Sequence, residues 1–204
     1  MSYKTIRKEG ISELIVEKSK FIAYAKPVST REEAMDYFAS LRKRYKDATH
    51  HVPSLVVGDA FQVQWTSDDG EPQGTSGPPI VQMLVKEEIT NVAVMVIRYF
   101  GGIKLGPGGL IRAYTQAAKM ALAKAEPILV RDMVEWTLQV DYTYHQKIEQ
   151  MSITGMFEVT EVSYSDVVTM TILFPESQIV EIQSSLIDLT SGSIKILSEV
   201  HKNA

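Results

Sequence analysis

Apolar and polar positions along the chain fall into two successive patterns, and the later one is the more regular. "VEWTLQVDY", from Val134, alternates with period two and predicts a strand, while "TYHQKIEQMSI" spaces Tyr144, Ile148 and Met151 as on one helix face. "FEVTEVSY" and "DVVTMTILF" predict two strands joined by a tight polar turn at Ser165–Asp166. "PESQIVEIQSSLIDLTSG" predicts a helix that opens at Pro175, sets Ile179, Ile182, Leu186 and Leu189 on one side, and stops at Gly192. "SIKILSEV" is a last alternating strand. The order is βαββαβ, that of a ferredoxin-like unit.

The preceding part reads as mixed α/β, so the whole chain is predicted to be α+β. "ISELIVEKS" and "KFIAYAKPV" predict a strand pair. Thr30 and Glu33 form a capping box for a helix that buries Ala34, Phe38, Leu41 and Tyr45. Strands follow at "HHVPSLVVG" and "FQVQWTS", then a short helix near Pro78–Pro79 that buries Ile80, Met83 and Leu84. "VAVMVIRYF" is almost wholly apolar, which predicts a central strand covered on both faces. A long helix is expected from Pro107 to about Ala125. Pro127 marks the change of pattern, and the domains are expected to span 1–131 and 132–204.

Charge sharpens this division. Residues 1–126 carry 17 basic and 14 acidic side chains, a balance of +3, and residues 127–204 carry 4 and 11, a balance of −7. The 204 residues include no cysteine, which removes disulfides, thiolate zinc sites and thiol nucleophiles. No apolar run approaches the roughly 18 residues of a membrane span, and "MSYKTIRKEG" lacks the apolar core of a signal peptide. A cytoplasmic protein with no membrane partner is expected.

Three stretches carry candidate chemistry. In "RYFGGIKLGPGGLIRAY", the glycines Gly101, Gly102, Gly106, Gly108 and Gly109 feed a helix start, with Arg98, Lys104 and Arg112 close by. Unpaired N–H groups and the helix dipole favour an anion there, so a phosphate or RNA backbone suits the place. The run matches neither the P-loop nor the dinucleotide fingerprint. Close packing is the alternative, because Gly109, Ala113, Ala117 and Ala121 recur every four residues. In "RKRYK", the cations Arg42, Lys43, Arg44 and Lys46 surround an aromatic, as in a phosphate grip or simply as a helix C-terminus prefers.

The third stretch is "DDGEPQGTSG", read as a binding loop of Asp68, Asp69, Gly70, Glu71, Gly74, Thr75 and Ser76. Its plainer reading has Thr75 and Ser76 capping the following helix. Its catalytic reading pairs Asp68, Asp69 and Glu71 with His50 or His51 in a metal-dependent or acid–base hydrolase. Adjacent strand residues face opposite ways, so only one of the two histidines can serve any one site. The preferred reading assigns no catalytic residue, metal or cofactor.

"KSKFIA", "DATHH", "SDDGEPQGTSGPP" and "VIRYFGGIKLGPGGLIRAYTQA" together resemble the signature blocks of the YigZ/IMPACT family over residues 18–118. The remainder is similar to the small C-terminal domain of its bacterial members. The resemblance implies a first domain folded like the second domain of a small-subunit ribosomal protein, followed by a ferredoxin-like one. It implies a link to translation, through RNA or a ribosome-associated partner. The acidic C-terminal domain is then a candidate for contact with protein, and a pure protein-interaction adaptor is a further alternative.

Overall fold

The computed structural model describes residues 2–203, and the chain divides into two units, Ser2–Leu129 and the part from Val130 onward. In the first unit the strands are β1 (Ser2–Ile6), β2 (Gly10–Val16), β3 (Ser19–Pro27), β4 (His50–Val57), β5 (Val63–Thr66) and β6 (Val92–Tyr99). The helices are α1 (Arg31–Arg44), α2 (Gly77–Lys86) and α3 (Gly106–Lys124). β1 was not foreseen in the sequence; Lys4 bridges to Ile89 beside the main sheet.

That sheet has the order β2-β3-β6-β4-β5 with antiparallel neighbours. β6 lies at its centre, and Val92 through Arg98 are all buried. Side chains alternate across a strand, so Val92, Val94 and Val96 pack with α2 and α3, while Ala93, Met95 and Ile97 pack with α1. Both faces of β6 are dry, as its uninterrupted apolar run predicts. The capping box of α1 is present in a variant form, its return bond falling one residue before the cap. The Thr30 hydroxyl accepts from the Glu33 N–H at 3.1 Å, and the Glu33 carboxylate reaches back to the Ser29 N–H at 3.0 Å.

The small-residue stripe of α3 has a packing role. Ala113, Ala117 and Ala121 are buried, and the Ser12 hydroxyl of β2 donates to the Ala117 carbonyl at 3.0 Å. A Cβ on Gly10 would lie 2.2 Å from the Ala121 carbonyl oxygen, so only glycine lets β2 come this close. Gly109 stands apart from this seam: it is half-buried, and a Cβ there would touch only Leu105 of α3's own first turn.

The second unit contains β7 (Pro127–Val140), α4 (Tyr142–Ile153), β8 (Glu158–Tyr164), β9 (Val168–Pro175), α5 (Ile179–Thr190) and β10 (Lys195–Asn203). Its strands lie in the order β8-β9-β7-β10 with antiparallel neighbours, the ferredoxin-like arrangement. Trp136 and Phe174 meet edge to face at 4.8 Å in its core. Two expectations need correction. Pro175 ends β9 opposite Met133, and a single 3-10 turn, Glu176–Gln178, precedes α5. β7 begins at Pro127, seven residues before the predicted strand: burial alternates through Ile128, Val130 and Asp132, although "ILVRDM" does not alternate in its residue types. No helix among the described residues is long and apolar enough to cross a membrane.

The Gly10 contact generates a test. Gly10→Ala forces a methyl into the α3 backbone, and overpacking of this kind costs about 1–3 kcal/mol. Thermal melts should show a clear fall in Tm for Gly10→Ala and little change for Gly108→Ala, where nothing lies within 4 Å of the added carbon. Equal melting of Gly10→Ala and the parent chain would contradict the packing.

Candidate functional site

The three acids of the 68–77 loop go to three different places. Asp68 is the helix cap: one carboxylate oxygen accepts from the Ser76 hydroxyl at 2.6 Å, the Gly77 N–H at 3.0 Å and the Ser76 N–H at 3.1 Å. The other oxygen accepts from the Gly74 N–H at 2.7 Å. The expectation that Thr75 and Ser76 cap α2 is therefore corrected. Ser76 occupies the cap position but gives its hydroxyl to Asp68, and the Thr75 hydroxyl donates to the Pro72 carbonyl at 2.6 Å. Burial alone would raise the pKa of Asp68, but these hydrogen bonds outweigh it and hold the carboxyl below its ordinary value.

Asp69, in the left-handed region at φ 46°, pairs with Arg42 at 2.9 Å and accepts the His51 N–H at 2.6 Å. Gly70 follows with φ 85° and Gly74 makes a further turn at φ 78°. Glu71 turns inward. Its Oε1 accepts from Arg98 at 2.7 Å and from the Tyr114 hydroxyl at 2.6 Å, and all three residues are buried. Burial and this hydrogen bond raise the pKa of the Tyr114 phenol far above its usual value.

The two histidines separate as strand geometry requires. His50 pairs in register with Arg98, and His51 with Ile97, so they face opposite sides of the sheet. A carbonyl can only accept, so His50 Nδ1 donates to the Asp69 carbonyl (2.8 Å) and His51 Nε2 to that of Tyr45 (2.8 Å). Of the three carboxylates, only Glu71 approaches His50, at 3.8 Å. Among the described residues no group of three or more potential ligands is arranged to hold a metal ion. The convergence that the hydrolase reading requires is not formed.

Arg98 also differs from its expected role. It continues the buried row Val92, Val94, Val96, so its guanidinium lies beneath the surface and cannot serve as an outward phosphate contact. It is neutralised by Glu71, reaches the Ser19 hydroxyl at 3.2 Å, and lies over the rings of Phe21 and Phe100 at 5.3 Å each. Its Nε is buried without a hydrogen-bond partner. Ser19 also accepts the Gly101 N–H at 3.2 Å, and a Cβ on Gly101 would strike the Lys18 backbone at 2.1 Å. Sequence reading missed Ser19, Phe100 and Tyr114 as site residues; Tyr114 follows Leu110 by one helical turn and reads as core.

The remainder of the glycine-rich segment is open. Gly102 and Gly106 have φ of 86° and 69°, and Gly102, Lys104, Gly106, Pro107, Gly108 and Arg112 are exposed. α3 starts with no side-chain cap and no acid in its first turn. Lys104, Gly109 and Arg112 line a recess of about 490 Å³, with Glu17 also on its wall. An adjoining recess of about 380 Å³ holds His50, Glu71, Arg98 and Gly106, and shares Lys104 and Leu105 with the first. The "RKRYK" cations are in neither. Arg42 is held by Asp69, Arg44 lies over Tyr45 and Tyr24, and Lys43 and Lys46 are exposed without an ion pair among the described residues.

Fold and site thus define a two-unit α+β protein whose first unit presents an uncapped helix start between two exposed cations. The Impact N-terminal domain model matches residues 17–122, which include every lining residue of the two recesses but Val16, and a domain of unknown function (DUF1949) matches residues 138–193. The chain is 35% identical to IMPACT family member YvyE of Bacillus subtilis, covering 96% of this chain and 90% of that protein. It is 31% identical to IMPACT family member YigZ of Escherichia coli, covering 90% and 91%. A solved structure described as that of a hypothetical protein shares 30% identity and a TM-score of 0.61 over 97% of each chain. The chain belongs to the IMPACT family.

Two acids of one loop should respond differently to replacement. Glu71→Ala strands a buried guanidinium and should cost about 3–5 kcal/mol. Asp68→Ala loses a helix cap, worth about 1–2 kcal/mol. Because the folded-state pKa of Asp68 is depressed, its contribution is complete above the ordinary aspartate range and is lost as pH falls through the folded value. Urea unfolding should therefore show the Asp68→Ala deficit at pH 7 and its narrowing toward pH 3; a deficit constant across that range would contradict the cap.

Proposed function

We propose that this chain is a binding protein for RNA, free or within the ribosome, and acts on translation through that contact. The observation that carries this reading is the exposed, uncapped start of α3, flanked by Lys104 and Arg112. Amide hydrogens without partners and a positive dipole end supply a fixed anion site, and two flexible cations extend it along a phosphate backbone. Glu17 is a single opposing charge on the same recess. Residues 127–204, with their balance of −7, are the less favourable surface for phosphate and fit a protein contact or a guard against indiscriminate nucleic-acid binding.

The family resemblance supports the link to translation. A Saccharomyces cerevisiae relative named Protein IMPACT homolog is 30% identical over 94 residues, but those cover 44% of this chain and 36% of that protein. Only the role of the shared first domain is carried over. No observation favours the hydrolase reading, because Asp68, Asp69 and Glu71 each have a structural partner.

Cosedimentation with ribosomes, and anisotropy with a labelled RNA strand, test the proposal. Binding should be strong at low salt and lost at high salt. For single strands, log affinity falls with log salt by about 0.7 per neutralised phosphate. Arg112→Ala should weaken binding to all sequences alike and reduce that slope by about one contact, with the melting temperature unchanged. Binding indifferent to both salt and Arg112 would overturn the proposal.

A further inference from the structure

The second recess, next to the phosphate-like one, has a different chemistry. Its wall is mostly apolar, from Phe100, Leu105, Leu110, Pro72 and Pro107, and its volume of about 380 Å³ is at the scale of small-molecule sites. Phe100 is 46% exposed, yet its position is fixed: its N–H donates to the Thr49 hydroxyl at 3.0 Å, and Arg98 lies over its ring. The result is a partly exposed aromatic ring held in place, with Arg98 packed against it.

Two residues of the lining, Arg98 and His50, keep hydrogen-bonding capacity that no other side chain takes up. Arg98, only 4% exposed, carries a buried Nε–H donor without a partner. His50 donates its Nδ1–H to the Asp69 carbonyl, so in the neutral imidazole Nε2 is an acceptor, and the Glu71 carboxylate 3.8 Å away, itself an acceptor, gives it no hydrogen bond. A donor and an acceptor beside an aromatic ring, in a cavity whose wall is mostly apolar, suit a flat heterocycle whose edge carries both functions. Every nucleobase has such an edge. An alkyl chain would use neither atom, and a simple anion could take the donor but would leave the acceptor unmet.

Lys104 and Leu105 line both recesses, so the heterocycle and a charged group would be held side by side. We infer that this recess takes one unpaired nucleobase of an RNA strand, stacked on Phe100, while the adjacent phosphate lies against Lys104 and the open start of α3. The inference rests on the proposed RNA binding and adds strand selectivity to it. A base inside a duplex stack cannot enter a recess, whereas a base in a loop or a free strand can. Stacking, the donor and the acceptor work on any base, so the preference is for unpaired RNA rather than for a sequence.

The test compares three labelled ligands of equal length by anisotropy: a single-stranded RNA, the same strand with abasic nucleotides, and the strand annealed to its complement. The wild-type protein should bind the intact single strand about tenfold or more tightly than the abasic strand. It should also prefer the single strand to the duplex, although the duplex carries the denser charge and would win on electrostatics alone. Phe100→Ala should abolish both preferences while keeping the salt dependence of the remaining binding. If all three ligands bind equally and Phe100→Ala changes nothing, while Arg112→Ala still weakens binding, the base recess is refuted and the phosphate contact survives. If no ligand binds, both fall. The abasic comparison uses the wild-type chain, so it does not depend on how the variant folds.

Discussion

A single buried ion pair, Glu71 with Arg98, organises the first unit around its recesses. Taking two charges out of water costs several kcal/mol unless their hydrogen-bonding capacity is met by fixed partners. Here the partners come from four parts of the chain: Arg98 from the end of β6, Glu71 from the 68–77 loop, Tyr114 from α3, and Ser19 from the start of β3. Satisfying one pair therefore brings all four together. Ser19 extends the network to the Gly101 N–H, so the turn that leads into α3 is anchored from the same point.

This arrangement sorts the charges of the region into those used internally and those left for solvent. Asp68 is consumed by the α2 cap, Asp69 by Arg42 and the His51 backbone, and Glu71 by Arg98. Lys104 and Arg112 remain exposed and make no ion pair among the described residues, with Glu17 the one acid on their recess. The chain has a net charge of −4, but the field at the start of α3 is set by nearby groups, and those are mainly positive. A negatively charged protein can in this way offer a local site for phosphate.

Much of the fold was legible because periodicity reports burial directly. The unbroken apolar run of β6, the alternation of β9 and the Thr30–Glu33 box each correspond to a single physical requirement, and each predicted its element. The site was less legible because it depends on pairings between distant residues. Nothing in "DDGEPQGTSG" tells which acid turns inward, since that choice is made by Arg98 and Tyr114, 27 and 43 residues away. Arg98 itself carried a readable signal: period two from Val92, Val94 and Val96 places it on the buried face. Its charge and the neighbouring glycines drew the reading outward instead. In the "RKRYK" cluster, Arg42 pairs with Asp69 and Arg44 lies over Tyr24 and Tyr45, contacts that the run itself does not announce.

The most direct measurement follows the backbone amides of the isotopically labelled protein by NMR while a short RNA strand is added at low salt. If the start of α3 is the contact, the largest shifts fall at Gly106, Gly108, Gly109 and Arg112, with Phe100 moving alongside them, and the resonances from Val130 onward stay nearly still. Shifts confined to the second unit, or none at any RNA concentration, would show that this helix start is not where the molecule meets its ligand.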